Sequence, residues 1–259
     1  MAERLRPSCR RPTVSFLPRR WKTEGEPATR AQRRLSARFP ITASRPAWLI
    51  RKRWAKKKML ESNPSLIEQR EAHYVRFLGP ATEKVMHSTD IKPVHVDIYT
   101  FPPTEARPFY TLITGGMSDL RQSVPDNCDI APRAEIMLYV SEPQGWMYNV
   151  LKGLAEMPSS DDTFLSYRHT VPNGKPMTAV PSALTSYFFV NPLMMPDSFS
   201  PMLVDGDPTD ILHLIPITEE ERHYAKVHGG SALISLFAER GLDPVVDEKR
   251  ASLVSPDEI

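Results

Sequence analysis

Between residues 94 and 119 the chain reads VHVDIYTFPPTEARPFYTLITGGMSD, and apolar and polar positions alternate strictly at its start. Val94, Val96 and Ile98 fall on one side; His95, Asp97, Tyr99 and Phe101 fall on the other. That period of two predicts a half-buried strand. Pro102 and Pro103 end it, because proline donates no hydrogen bond to a sheet ladder. A run rich in aromatic and β-branched residues, Phe109 to Thr114, predicts a second strand, and Gly115-Gly116 punctuates it. The polar side of the first strand carries His, Asp and Tyr, where solvated strand faces usually carry Lys, Glu, Thr and Ser. With Ser118 and Asp119 just beyond the second strand, the pair is expected to present a surface.

Upstream, Asn63-Pro64 has the cap and first-turn proline of a helix start. Leu66, Ile67, Tyr74, Phe77 and Leu78 form its apolar stripe and Gly79-Pro80 closes it, with a short helical piece expected to continue through Met86. Downstream, residues 120–133 read as a loop broken by Pro125, Asp126, Asn127 and Pro132. Ala134, Ile136, Leu138 and Val140 alternate with Glu135, Met137 and Tyr139 and predict a third strand. The period then changes. Met147, Val150, Leu151, Leu154 and Ala155 recur at three and four residues, an amphipathic helix expected to stop at Pro158. Gly153 weakens that helix by about 1 kcal/mol relative to Ala.

Ser159 to Gly174 reads as a polar loop closed by the Asn173-Gly174 turn. Ala183 to Val190 predicts an apolar, aromatic strand. Met202–Val204 and Ile211–Ile215 flank a tight turn containing Asp205, Gly206 and Asp207, a hairpin. Thr218 and Glu221 form a capping box, with three glutamates in the first helical turn, where the dipole favours them. Gly229-Gly230 breaks that helix; Leu233, Leu236 and Phe237 belong to a second, closed by Gly241. Strands and helices do not alternate one for one. The predicted class is therefore α+β, a mixed sheet with helices packed on it.

Composition adds a division that periodicity does not show. Proline, 26 of 259 residues, is about twice its usual share. Residues 1–58 hold 18 Lys and Arg against 3 Asp and Glu, a net of +15; residues 59–259 hold 15 against 28, a net of −13. The basic part is expected to be a disordered leader, since no apolar period runs through it. Met59 is an alternative start; a nucleic-acid or anionic-membrane arm built on RKRWAKKK and an organelle transit peptide are the other readings. The acidic part would repel phosphate and suits a basic or extended protein partner, not nucleic acid and not a membrane. Two cysteines, Cys9 and Cys128, build neither a disulfide framework nor a cysteine zinc site. With no signal-peptide or membrane-spanning apolar run, a reducing, cytoplasmic setting is expected.

Candidate chemistry is sparse. His95 and Asp97 can approach one point, but a metal needs three or four ligands, and nothing in the spacing brings Asp119, Asp162 or His169 to them. Ser118, Asp119 and His169 suggest a hydrolase triad, yet the run Gly115-Gly116-Met117-Ser118-Asp119 lacks the trailing glycine of a nucleophile elbow. A hydrogen-bonded polar face is the simpler reading of both sets. Binding has broader support: Tyr99, Phe101, Arg107, Tyr110 and Tyr167 crowd strand faces and loops, and Tyr and Arg make interface hot spots.

Seven segments in order carry a resemblance: HVDIYTFPPT, RPFYTLITGGMSD, RAEIMLY, LKGLAEMP, DDTFLSYRHTVPNG, HLIPITEEERHYAKVHG and PVVDEKR. Over about residues 60–250 the chain resembles the suppressor of fused (SUFU) domain. The resemblance implies a protein-binding module, not an enzyme, with no cofactor and no metal. The family's animal member restrains a transcription factor of the Hedgehog pathway, gripping a peptide partly as an added strand. Many bacterial members look like immunity proteins that neutralise polymorphic toxins. The short chain resembles that stand-alone type, so the expected role is to mask a toxin. A regulator that sequesters a transcription factor is the second reading, and a small metal-dependent or Ser/His hydrolase the third. The expected plan is a leader at 1–58, a domain at 59–250 and a tail at 251–259. Partner binding is expected at His95, Asp97, Tyr99, Arg107, Tyr110, Ser118, Asp119, Asp162, His169 and Asn173.

Overall fold

A computed structural model describes residues 64–83, 85–87, 94–178 and 181–258. The leader at 1–58, with its competing readings, lies outside them, as does Asn63. Helix α1 (Leu66–Leu78) opens at Ser65. The Ser65 hydroxyl accepts from the Glu68 N–H and the Glu68 carboxylate accepts from the Ser65 N–H, a reciprocal cap. Pro64 precedes the cap rather than opening the first turn. The expected helical continuation to Met86 is not found. Thr82 N–H donates to Thr100 O over 2.8 Å, and Met86 forms an antiparallel bridge with Ile98. The segment after α1 is thus an extended strip along one strand edge.

That strand is β1 (Asp97–Phe101), followed by β2 (Tyr110–Gly115) and β3 (Arg133–Val140), an antiparallel meander. Then come α2 (Gly145–Ser160), β4 (Thr170–Pro172), β5 (Leu184–Val190), β6 (Met202–Val204) and β7 (Asp207–Thr218). Helices α3 (Glu219–His228) and α4 (Gly230–Glu239) and the two-residue β8 (Val245–Val246) complete the elements used below. The sheet order is β1-β2-β3-β7-β5-β4, with β6 on β7 and β8 on β3. The β3–β7 and β3–β8 pairs are parallel and the others antiparallel, so the expected α+β class with a mixed sheet is what the chain forms.

Both faces of the sheet are covered, and this corrects the half-buried reading of β1. Val94, Val96, Ile98, Leu112, Ile136 and Leu138 pack with Leu151 and Leu154 of α2 on one face. Tyr99, Phe101, Ile113, Met137 and Tyr139 pack with Tyr74 and Leu78 of α1 on the other. All eight residues of β3 are buried. Helices α3 and α4 cover β5 and the far part of β7 through Ala225, Leu233, Leu236 and Phe237.

Three other expectations change. Pro158 does not stop α2, which runs through it to Ser160; the proline withholds its own N–H bond, but only Ser159 and Ser160 follow it, so the disturbance is confined to the last turn. Within the expected loop Ser159–Gly174 lies β4, paired with β5 from Thr170 opposite Phe188 to Pro172 opposite Ser186. Strand β7 spans 12 residues, more than the Ile211–Ile215 run, and contains Pro208 and Pro216. The Pro216 carbonyl accepts from Arg250, so its nitrogen faces away from β5 and costs the ladder nothing. The β6–β7 hairpin is as expected, with Asp205 at φ 54° and Gly206 at φ 77°. Two successive positive φ values are what a tight hairpin turn matched to strand twist needs.

Strands β3 and β7 pair from Arg133 opposite Thr209 to Met137 opposite His213 and then part. Beyond that point β8 takes the β3 edge at Tyr139 and Val140, while β7 continues against β5. His213 sits at the fork, fully buried, its ring 4.4 Å from that of Tyr139. Its Nδ1 accepts from the Leu193 N–H over 3.4 Å, and its Nε2 has no partner among the described residues. The end of the chain docks through Glu221. That buried carboxylate accepts from Arg250 at 2.6 and 2.7 Å and from the Leu253 N–H at 2.9 Å, besides closing the Thr218 cap.

Candidate functional site

The end of the sheet where Asp97 faces Gly115 collects His95, Asp97, Ser118 and Asp119 of the residues that the sequence singles out. Glu135 projects from the apolar β3 and is completely buried. It accepts four hydrogen bonds: from Thr114 Oγ1 at 2.5 Å, the Gly116 and Ser118 N–H groups at 3.0 Å each, and Ser118 Oγ at 2.6 Å. The left-handed Gly116, at φ 115°, makes this turn possible; a Cβ there would lie 1.9 Å from the His95 carbonyl oxygen. Arg70 of α1 comes down onto the same carboxylate, its Nε 3.8 Å from Glu135 Oε1, and pairs with Asp119. Burial alone would pull the Arg70 guanidinium down, but Glu135 and Asp119 outweigh it and hold it above its usual value.

Arg133 extends the network. It donates to the carbonyls of Ser118 and Asp119 at 2.7 and 2.9 Å and to the Asp207 carboxylate at 2.8 Å. Arg121 takes the other side of Asp207; together Arg121 and Arg133 keep that carboxyl below its ordinary range. Arg70, Glu135 and Arg133 were not among the expected site residues. Glu135 and Arg133 carried a readable signal, charge in or beside an apolar alternating strand. Arg70 carried none, because its partners Asp119 and Glu135 lie far away in sequence, beyond the reach of any local pattern.

Of the expected residues, Ser118 and Asp119 belong to this network, and Ser118 is fully buried. Tyr99 is covered by α1, its hydroxyl donating to Glu71 over 3.0 Å; burial, reinforced by Glu71, pushes its phenol far up. His95 and Asp97 do come together, and a third residue joins them. His87 Nδ1 lies 2.8 Å and His95 Nε2 3.0 Å from the same oxygen, Asp97 Oδ1. His87 follows the Met86–Ile98 bridge directly, so the edge strip delivers it. Two imidazoles and a carboxylate within 4.8 Å of one another could hold a metal ion.

The remaining expected residues lie elsewhere. Arg107 is in the β1–β2 connection, at the opposite end of the hairpin, donating to the carbonyls of Leu78 and Pro102. Tyr110 packs against the α2 side of the core. Asp162, exposed and at φ 49°, accepts from Ser123 Oγ. Asn173 stabilises its own turn by donating to Lys175 O at 2.8 Å. His169 precedes β4 with its ring 5.2 Å from Phe164; burial pushes its pKa down to about 4. His169 makes no hydrogen bond to Ser118 or Asp119 among the described residues, so the suspected triad is not assembled.

The sheet ends differ in character. The outer edge of β1 is partly occupied by Thr82 and Met86. At the other end β4 pairs only with β5 among the described residues. No helix among them is long and apolar enough to cross a membrane.

Comparison with known proteins places this architecture. The sequence profile of the suppressor of fused protein (SUFU) family matches residues 92–251. No curated protein matches the sequence. A SUFU homologue from Neisseria gonorrhoeae shares the fold with a TM-score of 0.58 at 19% identity, over 72% of this chain and 96% of that one. Sufu in a Sufu–Fu complex gives 0.54 at 12% identity, over 73% and 90%. Drosophila Suppressor of Fused gives 0.53 at 12% identity, over 73% of this chain and half of that one.

Proposed function

This chain belongs to the suppressor of fused family, and from that premise we propose that its folded part is a protein-binding module that acts by occupying a partner rather than by catalysis. The observation that carries this reading is the fate of the nucleophile candidate. The Ser118 hydroxyl is fully buried and donates to Glu135, so neither its proton nor its lone pairs face a substrate. The net charge of −13 over residues 59–259 favours a basic partner. Strand β4, terminal in the sheet and flanked by His169 and Asn173, offers a backbone edge on which an extended segment can add as a strand. Related Sufu is recorded in complex with another protein, Fu. The finer reading is an immunity protein of a toxin system in the cytoplasm, masking a toxin by stoichiometric binding.

Affinity capture from native cells with hydrogen exchange on the isolated complex tests this. The expected result is one stoichiometric partner, released as salt is raised, with new protection of the backbone at residues 168–174. Protection elsewhere would move the interface away from β4. Failure to hold any partner at low salt would remove the binding reading. Co-expression with a toxin encoded next to this gene tests the immunity role; survival of the host is expected, and undiminished toxicity refutes it.

A further inference from the structure

We infer that His87, His95 and Asp97 form a zinc(II) site on the edge of the sheet, independent of how the protein meets its partner. The donor atoms come from two chain segments held in register before any ion arrives. Paired backbone hydrogen bonds of 3.2 and 3.0 Å between Met86 and Ile98 fix the residue before His87 against β1. Val94 and Val96, at 3% and 1% exposure, anchor the chain on both sides of His95. Gly116 closes over the His95 carbonyl so tightly that no Cβ fits. Asp97 opens β1 opposite Gly115. From this rigid frame only the two imidazole rings are free to adjust; they are 63% and 56% exposed, against 15% for the Asp97 side chain.

The geometry suits zinc. Zn–N and Zn–O bonds of about 2.0–2.2 Å set tetrahedral ligand atoms about 3.3 Å apart. The two nitrogens stand 2.8 and 3.0 Å from Asp97 Oδ1, and all three donor atoms lie within 4.8 Å of one another. Small rotations of the exposed rings, which stack at 27° with centroids 6.3 Å apart, would admit the ion. Imidazole donors favour zinc, cobalt or nickel over calcium and magnesium, which take oxygen ligands. Three protein donors leave a fourth position facing solvent, for a water. An ion there would fasten the edge strip to the start of β1 and so close that edge of the sheet.

Chelator-treated full-length protein dialysed against zinc chloride, with metal analysis, tests the site. One zinc per chain is expected, with a higher Tm on loading because the ion binds only the folded arrangement. The same protein loaded with cobalt should show the visible absorption of a four-coordinate ion. His87→Ala, at an exposed position, and Asp97→Asn, of the same size, should each weaken binding by about 10-fold or more and abolish the Tm rise, while circular dichroism confirms folding. Zinc binding unchanged in both variants would assign the ion to other side chains and overturn the proposal. Absence of binding to wild-type protein at high-micromolar zinc would overturn it as well.

Discussion

Acidification from pH 7 to pH 5 should cost the fold about 2 kcal/mol through His213 alone. Its imidazole is fully buried at the β3–β7 fork, and burial drives its pKa down to about 3. In the unfolded chain the same ring titrates near 6.5. Below pH 6.5 the unfolded state therefore takes up a proton that the native state refuses. Stability is fully present above that pH and falls steadily until the native ring itself protonates near pH 3. Each unit is 1.36 kcal/mol, so the 1.5 units between 6.5 and 5 amount to about 2 kcal/mol. His169, depressed to about 4 by burial, adds a loss of the same sign. The two are separated by comparing wild type with His213→Leu. Leucine fills a similar volume and cannot protonate; it leaves the Leu193 N–H unpaired, a cost of about 1 kcal/mol that does not depend on pH. Urea unfolding at pH 7, 6 and 5 should show the variant less stable at pH 7 and equal or more stable at pH 5. Parallel pH profiles for the two proteins would refute the claim that this ring is held neutral in the fold.

Three substitutions probe other parts of the argument. Glu135→Ala strips four hydrogen bonds from the turn after β2 and leaves Arg70 buried beside the gap; a loss of about 3–5 kcal/mol in urea unfolding is expected. Glu221→Gln keeps the Thr218 cap, because Gln serves in a capping box, but removes the counterion of Arg250; hydrogen exchange at residues 250–258 should speed up while α3 stays protected. Gly153→Ala lies on the exposed side of α2 with nothing within 4 Å of the added Cβ, so it should raise stability by about 0.5–1 kcal/mol, read as a higher urea midpoint.

Local chemistry was legible in the sequence and long-range pairing was not. Thr218 and Glu221 announce a helix start because both halves of the motif lie within four residues. Asp205-Gly206 announces a hairpin because the turn itself demands positive φ. The alternation over residues 94–101 found β1, which starts only at Asp97, but assigned its polar side to water, because nothing in those residues says that Tyr74 and Leu78 of α1 cover Tyr99 and Phe101. Strand β4 is three residues long and contains a proline, so it lacks the length that periodicity needs. Of the candidate site, His95 with Asp97 and Ser118 with Asp119 were visible as polar groups beside apolar strands. Glu135 stood out as a charge in an apolar strand, but His87 and Arg70 join the site only through a strand bridge and a helix.

The parallel contact of β3 with β7 also sets a timetable for synthesis. Arg133 and Thr209 sit side by side in the sheet, yet the ribosome makes them roughly 75 residues apart, an interval of about 4–15 s at 5–20 residues per second. The β1–β3 meander can pair as soon as it emerges, since its contacts are local. For those seconds β3 then carries an open edge in the middle of the future sheet, flanked by Ile136 and Leu138. An unpaired apolar edge is a template for other chains. Production of this protein should therefore be most vulnerable to aggregation between the emergence of β3 and that of β7, and slower initiation or a chaperone that shields nascent strands should raise the soluble yield.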